Sequence, residues 1–158
     1  MLLKDSNQEK NEFYGEWKTD CINGTSSSYE IVFIFNANGT SEFHELFYYD
    51  LNCDENKQEE IWSHLFNYSK DEDNIFFDRT QTEMTIYTQE FLDARNEDTW
   101  CGISWSLNKT EDVTDLNCDG YSTSTNEDIN TSYSVIQNNQ LEFEGYPLFE
   151  DLIFYKQN

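Results

Sequence analysis

The sequence predicts an all-β domain, and three observations lead to that prediction. Apolar and polar residues alternate with a period of two through most of the chain. Turn-forming residues recur between these runs at roughly 8–12-residue intervals. Aromatic residues, which favour strands, make up 16% of the 158 residues, whereas alanine occurs only at Ala37 and Ala94. The length is that of a single domain with a core of its own.

The first half of the chain contains the most regular alternation. Strands are predicted at residues 13–19, 29–36 and 41–49. A tight turn at residues 36–40 connects the last two of these, and Gly39 gives it a residue that tolerates positive φ. These features predict a β-hairpin.

Further strands follow a polar loop around Cys53. They are predicted at residues 61–68, 75–78 and 83–88, with a turn at residues 71–74. In the first of them four large side chains share one face: Trp62, His64, Phe66 and Tyr68. Residues 91–95 form the one predicted helical turn.

The second half is less regular. A strand is predicted at residues 100–107, a polar stretch at 108–130, and strands at 131–137, 141–146 and 152–156. No linker rich in proline or glycine interrupts this pattern. We therefore predict one domain over residues 13–158, preceded by a flexible polar arm at residues 1–12.

The net charge of −23 restricts the partners of the chain. Such a field repels nucleic acid and anionic membrane surfaces, and it suits a basic protein partner or cations. The acidic residues are spread along the whole chain, which also fits a plain role in solubility. No apolar run approaches the roughly 18 residues of a membrane span.

The four cysteines, Cys21, Cys53, Cys101 and Cys118, include no C-x-x-C pair. An even number in a small β protein indicates two disulfides and an oxidising compartment. Of the three pairings we favour Cys21 with Cys53 and Cys101 with Cys118. Cys21 lies just past the first strand and Cys53 ends the hairpin that follows, whereas Cys101 and Cys118 bracket one polar excursion of the chain. We expect a secreted or periplasmic protein whose leader has been removed. Attachment to lipid through that leader is one alternative.

The pentapeptide Asp-Leu-Asn-Cys-Asp occurs twice, at residues 50–54 and 115–119. Both copies are interpreted as solvated turns that carry half of a disulfide. The alternative is calcium at the second copy, where oxygen-bearing residues stand at positions 1, 3, 5 and 9 of an EF-hand-like loop: Asp115, Asn117, Asp119 and Thr123. Asn126 stands where a glutamate is wanted, so no cofactor is expected and calcium is kept as the alternative.

Short motifs at both ends of the chain carry a resemblance to a known family. They are Gly15-x-Trp17, the turn at residues 35–40, the run from Tyr133 to Phe143, and Leu152-x-Phe154-x-Lys156. In this order they resemble bacterial lipocalin-like domains. The resemblance implies an antiparallel up-and-down β-barrel of about 8–10 strands, with a small hydrophobic ligand inside. The segment between Cys101 and Asp119 departs from that plan.

Large side chains on the alternating runs are the candidate lining of such a ligand site: Phe33, Phe35, Trp62, Phe66 and Trp105. Ordinary filling of a small barrel is the alternative for each. Trp17 is interpreted as structural, because an indole at the closed end of a barrel buries a large apolar area.

No pattern of catalytic residues is present. The sequence contains no G-x-S-x-G, H-E-x-x-H or phosphate-binding loop. Its two histidines, His44 and His64, are interpreted as ordinary interior or surface residues, and a metal or haem site is the alternative. We expect a non-enzymatic binding protein for a small hydrophobic molecule. The alternatives are an acidic interaction module, such as an inhibitor of a basic extracellular enzyme, and a structural surface domain.

Overall fold

The computed structural model describes residues 13–71, 74–121, 123–125, 128–136, 139–144 and 151–158. The predicted arm at residues 1–12 lies outside these ranges. The described residues contain ten strands: β1 (Gly15–Thr19), β2 (Ile22–Asn23), β3 (Ser28–Phe35), β4 (Thr40–Tyr48), β5 (Gln58–Lys70), β6 (Asn74–Ile86), β7 (Thr110–Asp112), β8 (Asp128–Ile136), β9 (Gln140–Glu144) and β10 (Ile153–Lys156). An α-helix, α1, spans Gln89–Glu97. The prediction of an all-β chain is confirmed.

All the strands belong to one antiparallel sheet. Its order is β1-β10-β9-β8-β6-β5-β4-β3-β2, and β7 pairs with β6. Strand β1 has a second partner, because Trp17 lies opposite Lys156 of β10 on one edge and opposite Phe33 of β3 on the other. The first strand of the chain is therefore hydrogen-bonded on both edges.

The structure joins two predicted strands into one. The predicted runs at residues 75–78 and 83–88 belong to the single strand β6, which is interrupted by a bulge. Leu65 of β5 lies opposite Gln81 and Phe66 lies opposite Arg79, so Thr80 is the extra residue. A bulge moves the alternation by one residue, which explains why the sequence pattern breaks there.

The predicted strand at residues 100–107 is wrong. Residues Trp100–Gly102 form a 3-10 turn, and positive φ at Thr99, Cys101 and Gly102 bends the chain sharply. Left-handed backbone of this kind cannot continue a strand. The predicted helical turn at 91–95 is longer than expected, since α1 covers nine residues.

The inner face of the sheet is filled by the main core. It consists of Phe13, Trp17, Ile31, Phe33, Phe35, Phe43, Phe66, Ile75, Phe77, Ile129, Leu141, Phe143 and Phe154. Trp17 is completely buried, and its indole N–H donates to the Phe13 carbonyl at 2.8 Å. Burial of the indole with its donor satisfied fits the structural role predicted for this residue.

Both disulfides have the pairing that the sequence favoured. Cys21 is bonded to Cys53, and Cys101 is bonded to Cys118. The first joins the chain after β1 to the loop between β4 and β5. The second closes the excursion between α1 and β8.

Candidate functional site

A second buried cluster lies beyond the main core, at the end of the sheet covered by α1. We call it the capped end, and it consists of Trp62, Met84, Ile86, Leu92, Trp100, Cys101, Trp105, Val113 and Cys118. Strands β5 and β6 supply its floor, because both run on past the main core. Helix α1 and the excursion at residues 98–121 supply its cover. The Cys101–Cys118 disulfide ties the two ends of that excursion together.

Side chain to backbone hydrogen bonds hold the cover in shape. The Asn96 amide donates to the Trp105 carbonyl at 3.1 Å and accepts from the Trp105 N–H at 2.8 Å. The Trp105 indole N–H donates to the Trp100 carbonyl at 3.0 Å. These bonds replace the regular ladder that this irregular segment lacks.

Aromatic rings line the capped end. Trp62 and Tyr121 are stacked with 4.5 Å between their centroids and 4° between their planes. Trp100 meets both rings edge-on, at 5.4 Å from Trp62 and 5.7 Å from Tyr121. Tyr121 remains partly exposed, so this stack reaches the surface.

A buried ion pair connects α1 to the sheet. Arg95 Nη2 lies 3.7 Å from Glu60 Oε2, and the Arg95 guanidinium lies over the rings of Phe91 and Trp100 at 4.4 and 3.6 Å. Glu60 is only 4% exposed. Burial raises the Glu60 pKa to about 7 although Arg95 opposes the rise.

Three buried polar atoms around this pair have no hydrogen-bond partner within the described residues: Glu60 Oε2, Trp62 Nε1 and Arg95 Nε. The Trp62 N–H still lies close enough to Glu60 to lower the pKa of that carboxyl. Unpartnered buried polar groups are costly, so they mark a place where the fold has not optimised its own stability.

An open pocket of about 720 Å³ adjoins the cluster. Polar groups dominate its lining, which consists of Arg95, Asp98, Thr99, Trp100, Cys101, Gly102, Asn117 and Asp119. Trp100 and Cys101 belong both to the pocket wall and to the buried cluster. The excursion at residues 98–121 therefore builds most of the pocket.

The structure divides the predicted ligand-lining residues between two places. Phe33, Phe35 and Phe66 lie in the main core, and Trp62 and Trp105 lie in the capped end. All five are buried, and none of them is part of the pocket wall. Sequence reasoning missed Arg95, Asp98 and Trp100. The aromatic and charged residues around Cys101 could have indicated a site there. The positive φ angles of Thr99 and Cys101, which bend the chain at the pocket, could not be predicted from the sequence.

A polar layer separates the main core from the capped end on β5 and β6. His64 is buried, with Nδ1 3.2 Å from the Thr82 hydroxyl and Nε2 3.3 Å from Glu45 Oε2. Burial lowers the His64 pKa, and Glu45 counteracts part of that effect. His44 lies on the other face of β4, where it contacts Ser63 and Glu42. The two histidines therefore do not form one site.

Two of the four candidate calcium ligands are engaged in other hydrogen bonds. The Asp115 carboxylate accepts from the Thr125 N–H at 2.8 Å, and the Thr123 hydroxyl donates to the Leu116 carbonyl at 2.6 Å. Asn117 and Asp119 face the pocket. Over the described part of the chain, no group of three or more His, Cys, Asp or Glu side chains is placed to hold a metal ion.

The two Asp-Leu-Asn-Cys-Asp copies differ in conformation. In the first copy Cys53 has φ of 50°, and in the second Asp115 has φ of 57°. The Asp50 carboxylate accepts from the Asn52 N–H two residues on, whereas Asp115 reaches Thr125 ten residues on. The repeat is therefore one of sequence, and only the second copy contributes to the pocket.

Comparison with known proteins adds no family to this description. No protein-family model matches the chain, and no curated protein matches it in sequence. Among the described residues, no helix is long and apolar enough to cross a membrane.

Proposed function

We propose that this chain is an exported, non-catalytic small-molecule-binding protein with a lipocalin-like β-barrel. The pairing of β1 with both β3 and β10 supports closure of the sheet into a barrel. Two disulfides support an oxidising compartment, either outside the cell or in the periplasm. Attachment to lipid through a removed leader belongs to the same proposal.

The observation that carries the proposal is the 720 Å³ pocket at the capped end. Its size is that of small-molecule sites in general. The barrel interior is a weaker candidate, because Phe33 lies within 4.8 to 5.8 Å, centroid to centroid, of five other phenylalanine rings. Those rings already occupy the space that a ligand would need.

The pocket lining also changes the kind of ligand that we expect. An indole and a disulfide face the pocket together with Arg95, Asp98, Thr99, Asn117 and Asp119. Such a wall suits a molecule with an apolar part and several hydrogen-bonding groups. The small, wholly apolar ligand expected from the sequence suits it less well.

Native mass spectrometry of freshly purified, oxidised protein tests this function. We expect a mass above that of the chain with two disulfides, which is lost after denaturation. A spectrum that contains the bare mass alone, for protein from its natural host and from culture supplemented with host extract, would contradict the proposal.

Filling the pocket should abolish ligand retention. In Asn117→Trp a large ring enters the pocket from its wall, and we expect the dissociation constant of the ligand to rise at least tenfold, equivalent to about 1.4 kcal/mol. Asn52→Trp is the matched control, because Asn52 holds the same place in the first pentapeptide and is exposed. Equal retention by both variants would place the ligand elsewhere.

A basic protein partner is the second candidate, and the loop between β4 and β5 favours it. Tyr49 and Leu51 are 45% and 44% exposed beside Asp50, Asp54 and Glu55. The Cys21–Cys53 disulfide and a 3.0 Å bond from the Cys53 N–H to Ser28 Oγ fix the loop. A rigid apolar tip among carboxylates suits a positively charged surface.

For a basic partner, Tyr49→Ala with Leu51→Ala should weaken binding about tenfold or more. Surface plasmon resonance over immobilised basic extracellular enzymes, at physiological salt, measures the change. Tyr87→Ala with Leu107→Ala removes a similar exposed pair elsewhere and serves as the control. Unchanged binding by both variants would contradict a role for the apolar tip and leave charge as the basis of the association.

A further inference from the structure

Helix α1 is a small cover with few attachments. Leu92 is its only fully buried residue. Thr88 at its N-cap makes no side-chain capping hydrogen bond, which removes a common source of helix stability. Elements that bury little apolar surface open locally at low free-energy cost. Arg95 and Asp98 come from the end of this helix, so its movement changes the pocket wall.

Glu60 is the buried charge beneath this cover. It lies on β5 in register with Ile86 of β6 and faces the Arg95 guanidinium at 3.7 Å. The groups that surround Glu60 act on its charge in opposite directions. Arg95 and the Trp62 N–H favour the carboxylate, whereas the negative charges of Glu59 and Glu45 oppose it.

Tyr121 faces the same pair from the excursion. Burial and the Glu60 charge raise the Tyr121 pKa, and Arg95 opposes that rise. The phenol therefore stays neutral over the physiological range and does not compensate Glu60. Arg95 is the only cation among the groups that act on Glu60 in the described structure.

We propose that Glu60 is a proton-controlled latch, which keeps α1 closed over the pocket when protonated and loosens it when ionised. The gating of the pocket rests on the function proposed above, but the movement of α1 does not. The geometry supplies both parts of the device: a carboxyl group sealed under the cover, and a guanidinium on the cover that balances its charge only in part.

The sign follows from proton linkage. In the closed state the Glu60 pKa is raised from 4.5 to about 7. In an open state water reaches the carboxyl group and its pKa returns toward 4.5. The closed state therefore binds more protons between these values, and raising the pH through this window favours opening.

Hydrogen exchange followed by mass spectrometry tests the latch on the oxidised protein without added ligand. Peptides covering Gln89–Glu97 should lose protection between pH 5 and pH 8 after correction for the intrinsic exchange rate. With the two pKa values of 4.5 and about 7, the opening constant rises up to about 70-fold. A β3 peptide in the same samples should change far less.

In Glu60→Gln the group cannot ionise, so we expect α1 protection to be independent of pH. Glu142→Gln, on β9, removes a carboxylate away from α1 and should behave as wild type. Should Glu60→Gln fail to fold, titration of the Glu60 carboxyl carbon by NMR in the unmodified chain decides the question. A midpoint near 4.5, or a pH dependence of α1 that survives in Glu60→Gln, would overturn the latch. A protein without ligand would contradict only the binding function.

Discussion

Phe33→Ala should lower the free energy of unfolding by about 5 kcal/mol, the upper end of the range for a buried phenylalanine. Phe33 sits at the centre of the main core on β3. Its ring contacts those of five neighbours: Phe35, Phe43, Phe77, Phe143 and Phe154. Truncation removes the buried area, leaves a cavity and disrupts several aromatic pairs that each contribute about 0.5–1.5 kcal/mol. Urea denaturation measures the loss.

Phe76→Ala is the matched control for this substitution. Phe76 is also a phenylalanine in a central strand, but it lies on the outer face of β6 and is 42% exposed. We expect its removal to cost less than about 1 kcal/mol. Equal costs at positions 33 and 76 would mean that the inner face is not the packed core.

Removal of the Cys21–Cys53 disulfide should cost about 4 kcal/mol. The bond closes a loop with a sequence separation of 32, which restricts the unfolded chain. The double variant Cys21→Ser with Cys53→Ser preserves the size of both side chains. We expect a lower urea midpoint and increased exchange in the loop that carries Tyr49 and Leu51, since Cys53 anchors that loop.

The second disulfide offers an internal comparison. Its separation is 17, so Cys101→Ser with Cys118→Ser should cost about 3 kcal/mol. It should also disturb the pocket, whose wall includes Cys101. A stability loss confined to the shorter loop would contradict the entropic account of these bonds.

Strands with one buried face could be predicted from the sequence because their pattern has a period of two. Glu60, Trp62, His64 and Phe66 alternate with more exposed residues, and β5 is found where that pattern indicates. The bulge at Thr80 reverses the phase of β6, so the same reasoning divided one strand into two. A bulge shifts the alternation by one residue, so the sequence pattern alone does not show that the strand continues. The pairing with a neighbouring strand is needed to show it.

The capped end could not be predicted in the same way. Trp100 to Leu107 contains strand-forming residues, but Thr99 and Cys101 adopt positive φ under the constraint of the disulfide and tertiary packing. Tertiary contacts override local propensity in such segments. Helix α1 has a mixed sequence and little amphipathic pattern, and it is defined by Leu92 and Arg95 meeting the sheet.

The net charge restricts the kind of partner but does not locate a functional residue. A net charge of −23 repels nucleic acid, yet it does not show which carboxylate is buried under a helix. Glu60 differs from the exposed acidic residues because α1 and the excursion remove it from water. That distinction depends on contacts between segments about 35 residues apart, such as Glu60 with Arg95.

The four tryptophans test most directly whether a ligand lies at the capped end or in the main core. Their indole N–H resonances can be compared by ¹H–¹⁵N NMR in protein as isolated and after extraction of the bound molecule with organic solvent. Trp100 lines the pocket, whereas Trp17 lies in the main core. The proposed site predicts a large shift at Trp100 and none at Trp17. A shift at Trp17 with Trp100 unchanged would contradict it and place the ligand within the main core.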